Sequence, residues 1–474
     1  MLNRAINSNF VLLAIHMDIL IKNGNIITSE YSVVNDVYIH EGKIHSIGKN
    51  LKHSATTRIV DASGKFVFPG GVDPHVHMCL PTPAGPSSDD FRTGSIAALY
   101  GGTTTLIDFV TPVKGESLPN ALEKRKREAE NSLIDYSFHV SPIEWHSGTR
   151  NEISDCFSNG ITSFKVYLAY RKTVGLCDAD FLKVLRTVGE LGGIVTAHCE
   201  LGEEIERLRD YYFSVNKTEP LYHYLSRPAE MESDSVKKAI ALAQEAGCSF
   251  YVVHVSTKKS LFHIEEAKKK GQQVYAETCP HYLLLNNPPI TGSFASAAPY
   301  IISPPLREPC DNEALWHAIN KNVVSTIGTD HCPFNMEQKR AGANDFRSIP
   351  NGAGSIEYRL PLLYTYGVLG KKISINKMVD IFSTMPAKIF GLFPQKGCIA
   401  IGSDADIVIW NPDGSHSISL LNQHQHCDIN IYNGLSVSGH AEYIVKGGEI
   451  AVNNDILFSS ISRGRFLKRN RPEL

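Results

Sequence analysis

Ser163-Phe164-Lys165-Val166-Tyr167-Leu168-Ala169-Tyr170 is a run of apolar and aromatic residues with a lysine near its start. Composition of this kind reads as a buried strand, and a buried ammonium is costly unless something compensates it. Other apolar runs end in side chains suited to that task. They are His75 and His77 in Gly71-Val72-Asp73-Pro74-His75-Val76-His77, His198 in Thr196-Ala197-His198, His254 in Val252-Val253-His254, and Asp330 in Ile327-Gly328-Thr329-Asp330. Together they outline a two-metal site bridged by a carboxylated Lys165.

Working outward, apolar runs alternate with helical stretches between residues 66 and 390, a βα rhythm that argues for a parallel sheet. Eight strands are expected, over 66–77, 103–109, 135–140, 163–168, 193–198, 249–255, 273–277 and 323–330. Eight such units make an α/β fold of the (β/α)8 TIM-like barrel type, whose bare form takes ~250 residues, and loop insertions absorb the excess. A doubly wound open sheet is the second choice. No Gly-x-Gly-x-x-Gly turn follows the first strand, and polar residues sit at many strand ends rather than in one crevice.

Short alternating segments punctuated by Asn-Gly, Glu-Gly and Gly-Lys turns occupy 17–65, and the same signature returns in 391–460. The two terminal segments are expected to build one discontinuous β-sandwich domain. Residues 1–16 read as an N-terminal extension: the apolar stretch 10–15 is far shorter than a bilayer span and lacks a convincing cleavage site. Residues 461–474 carry Arg463, Arg465, Lys468, Arg469 and Arg471 and read as a solvated tail.

The chain of 474 residues is 42% hydrophobic and 20% charged, which excludes disorder and fibres and leaves room for one large domain and a smaller one. A net charge of -2 gives no reason to expect nucleic acid or a membrane surface as partner. Ten cysteines, scattered singly without a C-x-x-C pair, indicate a reducing cytoplasm rather than a disulfide framework.

Residues two apart on a strand face the same side, so His75 and His77 point into one space. A lone His-x-His is weak evidence for metal. His198 and His254, each taken singly, are as readily core histidines, and Asp330 a loop cap. The shared placement at strand ends, where barrel enzymes assemble their sites, is what favours the metal reading. Imidazole and carboxylate donors suit zinc and similar divalent ions, and a pair of such ions needs an anion between them. Lys165 as a carbamate formed with carbon dioxide would be that anion; a salt bridge to a neighbouring carboxylate is the alternative. His139 has no partner by spacing, His331 points away from Asp330, and His424 and His426 read as solvated loop.

The strings GGVDPHVHM, SFKVYLAY, TAHCE, VVHVS, YAETCPHYL, SPPLRE, GTDHCPF and IPNGAGSIE, in that order, resemble the amidohydrolase superfamily and, within it, the dihydropyrimidinase and D-hydantoinase branch. The resemblance covers residues 17 to about 452. It implies a metal-dependent barrel with a β-sandwich domain that hydrolyses the cyclic amide bond of dihydropyrimidines or 5-substituted hydantoins, giving N-carbamoyl amino acids. It further implies that His75, His77, carboxylated Lys165 and Asp330 hold one ion, and Lys165, His198 and His254 the other. Asp330 would move the proton, Tyr170 would bond the substrate carbonyl, and Ser303 and Asn351 would hold the ring amide, chiefly through backbone groups. Family members are commonly homotetramers or homodimers.

Departures from the family pattern are small: Leu201 stands where asparagine is common, and Thr329 where serine is frequent. Dihydroorotases carry an arginine two residues beyond His-x-His, and here that residue is Cys79. Allantoinases share the ligands and stay as an alternative. Scaffold relatives of dihydropyrimidinase have lost ligands, whereas all six are present here. The loops 79–91 and 167–176 are expected to choose the substrate.

Overall fold

The computed structural model describes residues 17–286 and 291–472; the extension expected over 1–16 lies outside them. Five short strands open the chain: β1 (Ile19–Ile27), β2 (Ser32–His40), β3 (Lys43–Gly48), β4 (Arg58–Asp61) and β5 (Phe66–Pro69). Eight more form a parallel sheet: β6 (Gly71–Val76), β7 (Thr103–Val110), β8 (Asp135–Val140), β9 (Ser163–Tyr167), β10 (Ile194–His198), β11 (Ser249–Val252), β12 (Val274–Thr278) and β13 (Thr326–Ile327). They pair in sequence order from β6 to β13. The last four, β14 (Ile407–Ser417), β15 (Ser436–Lys446), β16 (Glu449–Asn453) and β17 (Ile456–Leu457), join the first five in a second sheet. The chain's two ends thus meet where β14 pairs antiparallel with β5.

The parallel sheet is an α/β barrel whose seam lies between β13 and β6. Beyond the short β13, His77 N donates to His331 O at 2.8 Å, and Val76 and His331 form a parallel bridge. Beneath them the buried Arg359 guanidinium donates to Val72 O and Ile327 O, both at 2.9 Å, so one cation spans the two edge strands. The strands of β6 and β7 are buried throughout, the pattern of a sheet covered on both faces. The helix Phe91–Tyr100 begins where Asp90 accepts from Arg92 N and Thr93 N while the Thr93 hydroxyl closes back on Asp90 N, a capping box that satisfies orphan donors.

Three expectations are corrected here. The single strand over 66–77 is two: Phe66–Pro69 belongs to the terminal sheet and Gly71–Val76 to the barrel. Phe68 and Val72 are both buried, so hydrophobicity alone could not mark the change of sheet at Gly70. The strand over 323–330 shrinks to Thr326–Ile327, because the chain turns at Asp330 to bring its carboxylate inward. The basic tail is a solvated end only in part: Arg463, Arg465, Lys468 and Arg471 are exposed, but the segment packs against the barrel and Arg469 is buried. Phe466 bridges to Tyr136, Leu467 N donates to Tyr136 O at 2.7 Å, and buried Arg469 donates to Ser163 Oγ at 2.7 Å. Arg465 reaches the Asp135 and Asp404 carboxylates, and Arg469 the Ser163 hydroxyl and Phe138 O. No described helix is long and apolar enough to cross a membrane.

Tail, barrel and terminal sheet meet at Lys396. Its buried ammonium lies 2.7 Å from Asp135, 2.7 Å from Asp406 and 3.0 Å from Asp404, while Arg465 reaches Asp135 and Asp404 at 3.0 Å each. Burial disfavours the charges, but their mutual attraction outweighs it, raising the lysine's pKa and lowering that of Asp135. Removing one partner strands buried charge, so Lys396→Met should cost about 3–5 kcal/mol of stability. Denaturant unfolding of the two proteins measures it, and a loss under about 1 kcal/mol would mean that the cluster contributes little.

Candidate metal centre

The six candidate donors come from five barrel strands. His75 lies in β6 and His77 just past it, Lys165 in β9, His198 at the end of β10, His254 two residues past β11, and Asp330 three past β13. His75 Nε2, His77 Nε2 and Asp330 Oδ1 converge, with separations of 3.3, 3.1 and 3.1 Å. His198 Nδ1 faces His254 Nε2 at 3.0 Å. The two groups adjoin, the His75 and His254 rings being 5.4 Å apart. Lys165 is buried, its Nζ 4.7 Å over the Phe109 ring, which in turn packs on His75 and His77. The six residues named from sequence are therefore neighbours in space.

Three site residues take backbone angles that side chains ordinarily avoid: Tyr170 (φ 58°), His254 (φ 37°) and Asp330 (φ 48°). Such strain persists where the surroundings over-determine it and gathers at functional sites. It turns each side chain from the strand direction into the mouth.

Behind the donors stand carboxylates. Glu277 Oε1 accepts from His75 Nδ1 at 2.7 Å and from His254 N at 3.1 Å, and Oε2 accepts from the Tyr251 hydroxyl at 2.8 Å. A carboxylate only accepts, so His75 carries its proton on Nδ1 and turns Nε2 to the centre. Gly328 makes room for this: a Cβ there would lie 2.6 Å from the Glu277 carboxylate carbon. On the other side, Glu200 accepts from His198 Nε2 at 2.7 Å and pairs with the buried Arg227, which leaves His198 Nδ1 facing inward. Asp73 accepts from the Thr329 hydroxyl at 2.6 Å, so the threonine found in place of serine keeps that bond.

Glu277, Glu200, Asp73 and Arg227 were missed from sequence. Asp73 and Glu200 each stand two residues from a donor histidine, on the same face of the strand, a spacing that could have found them. Glu277 and Arg227 lie far from any donor in sequence. Tyr170 is 5.3 Å from His198 between ring centroids. Ser303 and Asn351 meet each other, Asn351 Nδ2 donating to Ser303 Oγ at 3.0 Å. The neighbouring Ala353 O accepts from Cys332 N at 3.0 Å, which ties their loops to the Asp330 turn. Of the discounted histidines, His139 is bonded to Ser163 Oγ and Pro74 O, and His331 to Asp89. His424 and His426 are exposed in a loop as expected, although His424 also bonds Glu357 Oε1 at 2.7 Å and stacks on Tyr100.

The donor set fits divalent cations, since inward nitrogens and a carboxylate oxygen converge closely enough to need a proton or an ion between them. Burial works against protonating His75, but Glu277 and Asp330 prevail and hold its pKa up at about 9. Burial pushes the Lys165 ammonium down to about 8, enriching the neutral amine that carbon dioxide requires. Burial also lowers His198 and His254, keeping both imidazoles neutral and ready to bind an ion. Ion binding must displace protons from His75 and Lys165, so metal affinity of the stripped protein with bicarbonate present should rise with pH from about 7 to about 9 and then level. Titration calorimetry across that range tests this; an affinity flat in pH would remove the proton competition.

The Amidohydrolase family model matches residues 66–451. The chain is 40% identical to a D-hydantoinase of Geobacillus stearothermophilus over 95% of this chain and 96% of that protein. It is 36% identical to a dihydropyrimidinase of Arabidopsis thaliana over 95% and 85%, respectively. The crystal structure of a dihydropyrimidinase from Brevibacillus agri superposes with a TM-score of 0.94 at 39% identity, covering 96% of this chain and 99% of that one. Family membership implies a binuclear metal centre at the mouth just described. With barrel, strand-end donors and near full-length similarity in agreement, the chain belongs to the amidohydrolase family, in its dihydropyrimidinase and D-hydantoinase branch.

Proposed function

We propose that this chain hydrolyses the cyclic amide bond of 5,6-dihydropyrimidines and 5-substituted hydantoins, opening the ring to an N-carbamoyl amino acid. What supports the reading is the convergence of His75, His77 and Asp330 beside the His198 and His254 pair, braced by one carboxylate. His75, His77 and Asp330 would hold one divalent ion of the zinc class and His198 and His254 another, with Lys165, as its N6-carboxyl derivative, shared between them. When bound, the ions would supply Lewis acidity and lower the pKa of water toward neutrality.

The remaining work falls to side chains. Asp330 accepts a proton from the attacking water and delivers it to the leaving ring nitrogen as the C–N bond breaks. The low pKa of its carboxyl, which His75 and His77 secure against burial, keeps it ready to accept. The Tyr170 hydroxyl donates to the carbonyl oxygen where negative charge develops, a contact worth about 3 kcal/mol for one well-placed donor. Ser303 and Asn351 hold the ring amide. A cavity of about 370 Å³ beside Tyr170, lined also by Lys172, Arg209 and Arg347, offers space for a substituent on the ring. A cytoplasmic compartment suits the ten unpaired cysteines, and a homotetramer or homodimer is the assembly proposed.

Protein prepared with zinc and bicarbonate should hydrolyse dihydrouracil or a 5-substituted hydantoin, and stripping the metal should abolish this. Turnover of allantoin alone would move the chain to ureide hydrolysis, and turnover of no cyclic amide by metal-loaded protein would sink the proposal. Asp330→Ala should lower kcat by on the order of 10² to 10⁴. Lys165→Ala should lose activity and recover part of it with added short carboxylic acids; full activity with both metals in that variant would disprove the bridging role.

A further inference from the structure

The helix Met336–Arg340 lies outside every motif that supplies a donor, yet it carries a fully buried lysine. Lys339 Nζ donates to three backbone carbonyls: Pro350 O at 2.7 Å, Gly352 O at 2.9 Å and Ile301 O at 3.1 Å. Among the described residues no carboxylate lies within ion-pair distance of it. The ionisable groups that act on its charge are the thiols of Cys332 and Cys427, both pushed up by burial.

Three carbonyls need three donors, and only the ammonium form has three. These carbonyls come from the two loops that carry Ser303 and Asn351. The loops also touch directly, through Gly352 N to Ile301 O at 3.0 Å and Asn351 Nδ2 to Ser303 Oγ at 3.0 Å. Gly352 seats the second loop hard against the Asp330 turn: it has φ 146°, and a Cβ would lie 2.3 Å from Cys332 O. Next to Lys339, Gln338 Nε2 donates to Pro86 O at 2.8 Å in the loop over the barrel mouth. Burial pushes the Lys339 ammonium down to about 7, and the three carbonyl dipoles aimed at it oppose that loss, so the lysine and the carbonyls fix one another's positions.

We propose that Lys339 is a positioning residue for substrate, its ammonium clamping the Ser303 and Asn351 loops at the separation that receives the ring amide. This rests on the reading of Ser303 and Asn351 as the ring-amide binders. The lysine touches neither the donors of the metal centre nor the reacting atoms, so its removal should weaken binding of substrate while leaving the centre loaded.

The test compares the metal-loaded wild type with Lys339→Met, which has no donors, and Lys339→Gln, which has two, on dihydrouracil and hydantoin, with metal content measured alongside. Expected are unchanged metal content, kcat within a few-fold of wild type, and a KM raised about tenfold or more in Lys339→Met and less in Lys339→Gln. If Lys339→Met does not fold, the KM of Lys339→Gln decides. A KM unchanged in the folded variants, with or without lowered thermal stability, overturns the proposal, as does a fall in kcat alone or loss of bound metal. A wild type that opens neither ring fails the functional reading itself, and the inference falls with it.

Discussion

One carboxylate holds the centre together. Glu277 accepts from the His75 ring and from the His254 backbone, which belong to the two separate donor groups, and from Tyr251 on the neighbouring strand β11. Its position on β12, between β11 and the short β13, places it on the floor of the mouth. Fixing the His75 proton on Nδ1 is what makes Nε2 available, and fixing the His254 backbone at a strained angle is what turns that ring toward His198. The glycine at position 328 is part of the same constraint, because a side chain there would evict the carboxylate.

Around this floor the barrel buries far more charge than a stable core requires. Arg359 reaches the carbonyls of both seam strands with Asp73 at 4.0 Å; Arg227 pairs with Glu200 behind His198; Lys396 gathers three aspartates below. Buried ion pairs contribute little net stability relative to apolar packing. Their common effect is geometric. Each pins a strand end, a loop or the chain's tail to a place that the closely packed aliphatic residues of the barrel would leave adjustable. A site assembled from five strands needs its parts held to fractions of an ångström, and fixed hydrogen-bond directions supply that.

How much of this was legible varies with the kind of signal. Strand periodicity found the barrel, because buried parallel strands write continuous apolar runs, and it singled out six residues that the structure brings together because each interrupts or ends such a run. The same criterion failed at Gly70, where two buried strands of different sheets follow one another without a polar break. It failed again in the tail, where Arg465 and Arg469 looked like solvated charges but are matched by Asp135, Ser163 and Phe138 O, more than 300 residues away in sequence. Glu277 stands within Tyr275-Ala276-Glu277-Thr278-Cys279, where nothing local tells a buried brace from an ordinary acidic residue.

The sequence by itself determined the kind of chemistry: which side chains are present, at what alternation along a strand, and therefore that imidazoles, a carboxylate and one improbable lysine share the same end of a parallel sheet. It could do so because side-chain direction along a strand is a local property, repeating every two residues. The tertiary structure decided which nitrogen of each histidine faces inward, how close the donors come, and that Glu277 braces them. Those depend on hydrogen bonds between residues brought together by closure of the barrel, and no local pattern encodes a partner that is distant along the chain.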